Sequence, residues 1–422
     1  MTHELLDQVH RAFQSDDSAE VRRLLDRHPA LKERINDPVG EFGDPPITLV
    51  RSRAMLDVLL EAGADIDALS TWWAGGFGLL DRADSDLAEY AIGRGAVVTI
   101  HAAARLGMMS DVRLLLEDRT DLVHARGGDG QTPLHVASSV EVAALLLDRG
   151  AEIDARDVDH LSTPAQYMVR SRQDVARFLI QRGCESDVLM AAALGDADLA
   201  RRHLDRDPAC IRMRVSDEYF PMVDSHAGGT IYQWELGWHV SAAQVAQSFG
   251  HIDLFDELME GSPPDEVLVN ACWLHDADLV RSVLGRHPEL PGSISSGLRR
   301  HVAHAARNND GRAALLMLDA GLSPSGAFSQ HHGTALHWAA WHGNAGLVRR
   351  ILEGSPSLED DDNAFRSTPL GWAVHGSEHG WSRSEGDYTA TVEALIAAGA
   401  EVPPRAEGTP EVHALLRQHG TS

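Results

Sequence analysis

The stretch His332-Gly333-Thr334-Ala335-Leu336-His337-Trp338-Ala339-Ala340-Trp341-His342-Gly343-Asn344 returns, altered, as Ser367-Thr368-Pro369-Leu370-Gly371-Trp372-Ala373-Val374-His375-Gly376. Thr334 to Thr368 is 34 positions, and so is Ala339 to Ala373. A period of about 33 residues marks stacked helical repeats. Thr368 is a natural N-cap, and Pro369 fits the first turn, where its missing N–H costs nothing. Leu370, Ala373 and Val374 then share one helical face. A second helix, Thr391 to Ile396, offers the opposing apolar face, and Gly399 stops it in the manner of a left-handed C-terminal cap. Two helices this short cannot bury their apolar faces alone, so each pair needs neighbours.

The same phrase stands at Thr132-Pro133-Leu134-His135-Val136-Ala137. It resembles the opening of the ankyrin repeat, and Thr334 to Ala339 is a version with one substitution. The resemblance implies a mostly α fold, an α-solenoid of helix–turn–helix repeats joined by short β-hairpins. It also implies that histidines at the motif position (His101, His135, His337) tie neighbouring hairpins together by hydrogen bonds. Both the bacterial-type reading and its extension over the whole chain, with degenerate repeats, are expectations of this resemblance.

Working outward, the glycine stops Gly63, Gly95, Gly150 and Gly183 fall after apolar helical stretches at intervals of 32, 55 and 33 positions. About twelve units can be counted. Val9 and Phe13 with Val21, Leu24 and Leu25 read as a capping hairpin at the N-terminus, and Glu411 to Leu416 as a closing helix. The rhythm breaks once, over residues 215–240, an aromatic insertion holding Tyr232, Trp234, Trp238 and His239. Long ordered insertions in repeat proteins tend to lie on the binding face. The chain is therefore divided into N-terminal repeats (1–214), the insertion (215–240) and C-terminal repeats with a capping helix (241–422), read as one continuous solenoid. A smaller insertion, Gly376 to Asp387, carries His379 and Trp381.

The 422 residues carry a net charge of −26, and Lys32 is the one lysine. Such an acidic surface disfavours nucleic acid and anionic membranes. No apolar run approaches a membrane span, and the start, Met1 to Leu6, does not read as a leader peptide. Cys184, Cys210 and Cys272 form no CxxC and no zinc spacing and read as small buried residues, and a reducing, cytoplasmic setting is expected.

In the ankyrin pattern the positions after the paired alanines are variable and face the concave groove. Here that column is Trp273, Arg307, Trp341 and His375, each 34 positions from the last, with Asn308 and His342 beside it. Tryptophan and arginine dominate binding hot spots, so a protein partner in the groove is the expected function. Arg105 and Phe249 occupy the corresponding places in their own units. Trp338 and Trp372 sit at the apolar position before alanine and read as core.

The alternative is an enzyme or small-ligand protein whose Trp/His-lined pocket forms where the 215–240 insertion meets the C-terminal repeats. His239, His342, His375 and Asp361 would then be the reacting groups. No established catalytic set, phosphate-binding loop or dinucleotide fingerprint accompanies them. The run Glu359 to Asn363 reads as a solvated turn. The glycines from Gly127 to Gly130 read as a loop. No histidine pair has a third ligand at metal-binding spacing, so neither metal nor cofactor is expected.

Overall fold

A computed structural model describes residues 3–328, 331–405 and 407–420, and all side chains within them except those of residues 3, 4, 6 and 7. Most of the reading of Met1 to Leu6 therefore lies outside the described residues. The chain divides into two compact units, Met1–His251 and Ile252–Ser422, and the 215–240 insertion belongs to the first.

Both units are built from short helices in pairs. In the first, Ile100–Leu106 pairs with Met109–Asp118, and Val188–Leu194 with Ala197–Arg206. In the second, His301–Arg307 pairs with Gly311–Asp319, Ala335–Trp341 with Ala345–Leu352, and Pro369–His379 with Tyr388–Ala397. Side-chain N-caps start many of them. Thr99, Ser139, Asp187, Asp310, Asn344 and Thr368 each accept a hydrogen bond from the backbone N–H three residues on, an orphan donor of the first turn. The glycine stops behave as expected. Gly63, Gly95, Gly150, Gly183 and Gly399 lie two residues past the second helix of their pairs, all with φ between 91° and 104°.

The pairs are held together by packing on both sides. Within the second unit, His301–Arg307 packs on Ala335–Trp341, which packs on Pro369–His379. The facing residues Ala305, Ala306, Ala339, Ala340 and Ala373 are all fully or nearly fully buried, small enough to let the helices approach. Second helices pack in a parallel series, with Met317, Val348, Ile351, Val392 and Leu395 buried between the two layers.

Two features depart from the regular repeat. Where Thr132 opens its motif, only a 3-10 turn, Pro133–Val136, forms before Ser139 caps the next helix; the missing inter-helix glycine turn leaves too few residues for a full first helix. Pro46–Leu49 and Gln166–Met168 are shortened in the same way. In addition, the short β-hairpins expected between pairs are turns without ladders. Among the described residues there are only isolated antiparallel bridges, Arg214 with Ser241 and Phe328 with Gly333.

The motif histidines link consecutive turns. Thr334 N–H donates to His337 Nδ1 at 3.2 Å, which leaves the proton on Nε2, and this nitrogen donates to the Asp360 carbonyl at 2.9 Å. His135 does the same, accepting from Thr132 N–H at 3.0 Å and donating to the Ser162 carbonyl at 3.1 Å. Burial lowers the pKa of both, that of His135 to about 3, so they are neutral connectors.

Candidate functional site

Several aromatic residues of the second unit gather around the helices Ala335–Trp341 and Pro369–His379, with Trp338, Trp341, Trp372, Trp381 and Phe365 in mutual ring contact. The helix Pro369–His379 runs longer than its counterparts, and the loop after it folds back over the preceding pair. Tyr388 Oη donates to the Trp341 carbonyl at 2.9 Å, and Asp387 N–H to the Gly343 carbonyl at 2.9 Å. This return lays Trp381 across the cluster, with ring centroids 5.8 Å from Trp338, 5.9 Å from Trp341 and 5.6 Å from His342. The Arg307 guanidinium lies 5.6 Å from the Trp338 ring and 5.4 Å from that of Trp381, within cation–π range of both.

The cluster is rich in donors. The indole N–H groups of Trp338, Trp341 and Trp372 and the Nε–H of Arg307 are buried, with no hydrogen-bond partner among the described residues. Indole and guanidinium groups donate and cannot accept. Burial lowers the Arg307 pKa, and both burial and the nearby Arg307 charge lower that of His331, whose ring lies 5.1 Å from Phe365. Two large apolar side chains remain open to solvent at this face, Trp381 at 61% and Phe365 at 60% exposure.

Trp341 and His375 meet, ring centroids 5.8 Å apart, with Trp341 half-buried and His375 exposed. Trp273 turns instead to its own neighbours, its Nε1–H donating to His301 Nδ1 at 3.0 Å and its ring 4.9 Å from His304. Asn308 is exposed and bonds back to His304. His342 is buried, although the repeat pattern makes no demand at its position. Its Nε2–H donates to the Arg307 carbonyl at 2.7 Å, and its Nδ1 accepts from Ser382 Oγ at 2.9 Å, so it fastens the 380–387 loop. Asp361 is exposed, as a solvated acidic run would be. Arg105, the corresponding column residue in the first unit, donates to the Leu80 and Ala83 carbonyls and closes the short helix Leu79–Arg82. Phe249 lies beneath the Arg170 guanidinium at 5.2 Å. Trp381, Trp338 and Phe365 belong to the cluster but not to the 34-residue column; for Trp381 the available signal was an aromatic residue inside an insertion.

The 215–240 insertion is ordered on the repeat that precedes it in space. Tyr232 is fully buried and donates to Asp187 Oδ2 at 3.0 Å, and Ile231 N–H donates to Ser162 Oγ at 3.0 Å. Arg170 Nε–H donates to the Glu235 carbonyl at 2.6 Å. Trp234 is 57% exposed with its ring 4.8 Å from His160, while Trp238 is half-buried against His239. His239 has φ of 60°, and its N–H donates to the Val215 carbonyl, closing the base of the insertion. A cavity of about 410 Å³ lies beside the insertion, lined by Arg156, His160, Gln166, Asp187, Tyr219 and Phe220 among others. Its aromatic lining is Tyr219 and Phe220, and its one histidine is His160.

Comparison with known proteins agrees with the repeat reading over part of the chain. Ankyrin repeats are found as three copies over residues 100–190 and as one repeat over residues 331–363. A 49-residue stretch is 51% identical to part of a protein named serine/threonine-protein kinase VIK from Arabidopsis thaliana. That stretch is 11% of this chain and 11% of the kinase. Among the described residues no helix is long and apolar enough to cross a membrane.

Proposed function

We propose that the chain is a binding scaffold, an ankyrin-type solenoid that grips a protein partner through the first-helix face of residues 252–422. Ankyrin repeats generally serve as protein-interaction modules, which supports the class. The observation that carries the location is the aromatic cluster around Trp341. It combines exposed apolar surface at Trp381 and Phe365 with buried, unpartnered donors on three tryptophans and Arg307. Buried polar groups are nearly always satisfied, so a group of unsatisfied donors in one place is unusual. Acceptors such as backbone carbonyls or carboxylates on an apolar segment would complement it. Aromatic and arginine side chains in a desolvated pocket are the residue types that dominate binding energy.

The test is a photo-crosslinking amino acid placed at Trp381 and, as a control, at Arg349 on the second helix of the pair. The captured partner is then titrated against wild type, Trp381→Ala and Trp341→Ala. Crosslinking at 381 alone, with both alanine variants weakening affinity by tenfold or more at unchanged helicity, supports the reading. Equal crosslinking at both positions, or unaltered affinity, refutes it.

A further inference from the structure

We propose a divalent transition-metal site, of the zinc class, formed by Asp129, Asp159 and His160 in the first unit. The three side chains come from consecutive inter-repeat turns. Asp129 lies in the loop Gly127 to Gly130 with φ of 55°, and its carbonyl accepts from Val158 N–H at 2.8 Å and Asp159 N–H at 3.2 Å, so the two turns are fixed against each other. His160 Nε2 is 3.3 Å from Asp159 Oδ2 and 3.7 Å from Asp129 Oδ2, and the three ligand atoms lie within 4.8 Å of one another. Zinc bonds of about 2.1 Å in tetrahedral geometry place ligand atoms roughly 3.4 Å apart. The two spacings from His160 Nε2, 3.3 and 3.7 Å, are close to that value.

The second observation is how the ligands are held. His160 Nδ1 lies 2.7 Å from the Gly229 carbonyl, which can only accept, so Nδ1 carries a proton. Nε2 on the other side of the ring faces the two carboxylates. A metal-bound histidine characteristically donates its other N–H to a carbonyl or carboxylate in this way. Asp159 Oδ1 accepts from Gly228 N–H at 3.1 Å, which leaves Oδ2 for the ion. Gly228 passes so close that a Cβ there would stand 3.0 Å from Asp159 Oδ2 and 3.0 Å from His160 Cε1. The aromatic insertion thus supplies the outer support of the site from Gly228 and Gly229.

Charge gives a third reason. Asp159 and His160 are buried and Asp129 is largely so. Among the described residues no Arg or Lys nitrogen lies within 4 Å of either carboxylate, and their ion-pair contacts are to His160 alone. A divalent ion held between the two carboxylates would offset the charge they bring into this largely buried place. The mixed nitrogen–oxygen set suits zinc or manganese better than calcium, which prefers oxygen ligands throughout.

The full chain, treated with EDTA and desalted, is titrated with Zn²⁺ against a competing chromophoric chelator, with Mg²⁺ as contrast. One Zn²⁺ per chain is expected. Asp129→Asn and His160→Gln should each weaken it at least tenfold, and His124→Gln, an exposed histidine outside the cluster, should leave it unchanged. Zinc should also slow proteolysis within residues 224–235. Because either ligand variant could loosen the fold, wild type labelled with ¹⁵N-histidine provides an independent reading, in which Zn²⁺ should shift the His160 Nε2 resonance. No saturable binding by wild type, wild-type affinity in both ligand variants, or an unmoved His160 resonance overturns the proposal, leaving an imidazolium paired with two aspartates.

Discussion

Replacing Trp338 by alanine separates the packed side of the C-terminal repeats from their exposed face. Trp338 is 2% exposed, so nearly its whole side chain leaves water on folding. A tryptophan buries about 200 Å², and at roughly 25 cal/mol per Å² this is about 5 kcal/mol. An already compact unfolded chain reduces that to roughly 3–4 kcal/mol. The variant also loses an edge-to-face contact with Trp372, centroids 4.9 Å apart at 87°, and a stacked contact with Trp381, together about 1 kcal/mol. The expected loss is about 4 kcal/mol, inside the range of about 3–5 kcal/mol for truncating a buried aromatic. For a unit of about 170 residues this lowers the melting temperature by roughly 10 °C. Trp341→Ala, at a half-buried position, should cost about half as much, and Trp381→Ala less than about 1 kcal/mol. Binding should follow a different order, with Trp381→Ala and Trp341→Ala each losing roughly 2 kcal/mol. Urea unfolding followed by circular dichroism ranks the stabilities, and titration with the captured partner ranks the affinities. If Trp341→Ala unfolds the protein while Trp338→Ala leaves it intact, the assignment of faces is wrong.

Three further outcomes are expected. Gly150→Val should destabilise by about 1 kcal/mol or more, as read from the urea midpoint: φ is 93° and nothing lies within 4 Å of a new Cβ, so the cost is purely conformational. His135 is neutral in the folded protein, with its pKa depressed to about 3 from an ordinary 6.5, so the unfolded chain binds the extra proton. Stability from this residue is complete above pH 6.5 and falls below it at up to about 1.4 kcal/mol per pH unit; His135→Gln, which can keep the capping contact, should flatten that slope between pH 6 and 5. His342→Ala should release the loop it fastens through Ser382, giving earlier tryptic cleavage at Arg383 by mass spectrometry; unchanged cleavage would deny His342 that role.

Much of the fold was legible because its determinants are local. The repeated phrase at Thr334 and Thr368, the threonine cap and the glycine stops each act within a few residues of chain. The motif histidines were legible for a similar reason, since a repeated phrase places them at equivalent turns. The same logic identified Trp338 and Trp372 as core and the 215–240 segment as an ordered insertion. It gave a column of side chains at equal offsets but not their contacts. Trp273 and Trp341 stand 68 positions apart in that column, yet one turns to His301 and His304 while the other meets His375 and Trp381.

What tertiary structure alone decided depends on loops meeting across sequence distance. Trp381 reaches Trp338 because the 380–387 loop folds back, which a degenerate insertion does not encode in any spacing. His342 is buried because that loop covers it. Asp129 and Asp159 are 30 positions apart, and Gly229 is 69 beyond His160, so no motif joins them. Repeat sequence sets where each turn begins. Which polar groups two turns and an insertion bring within bonding distance is fixed only when the stack places them side by side.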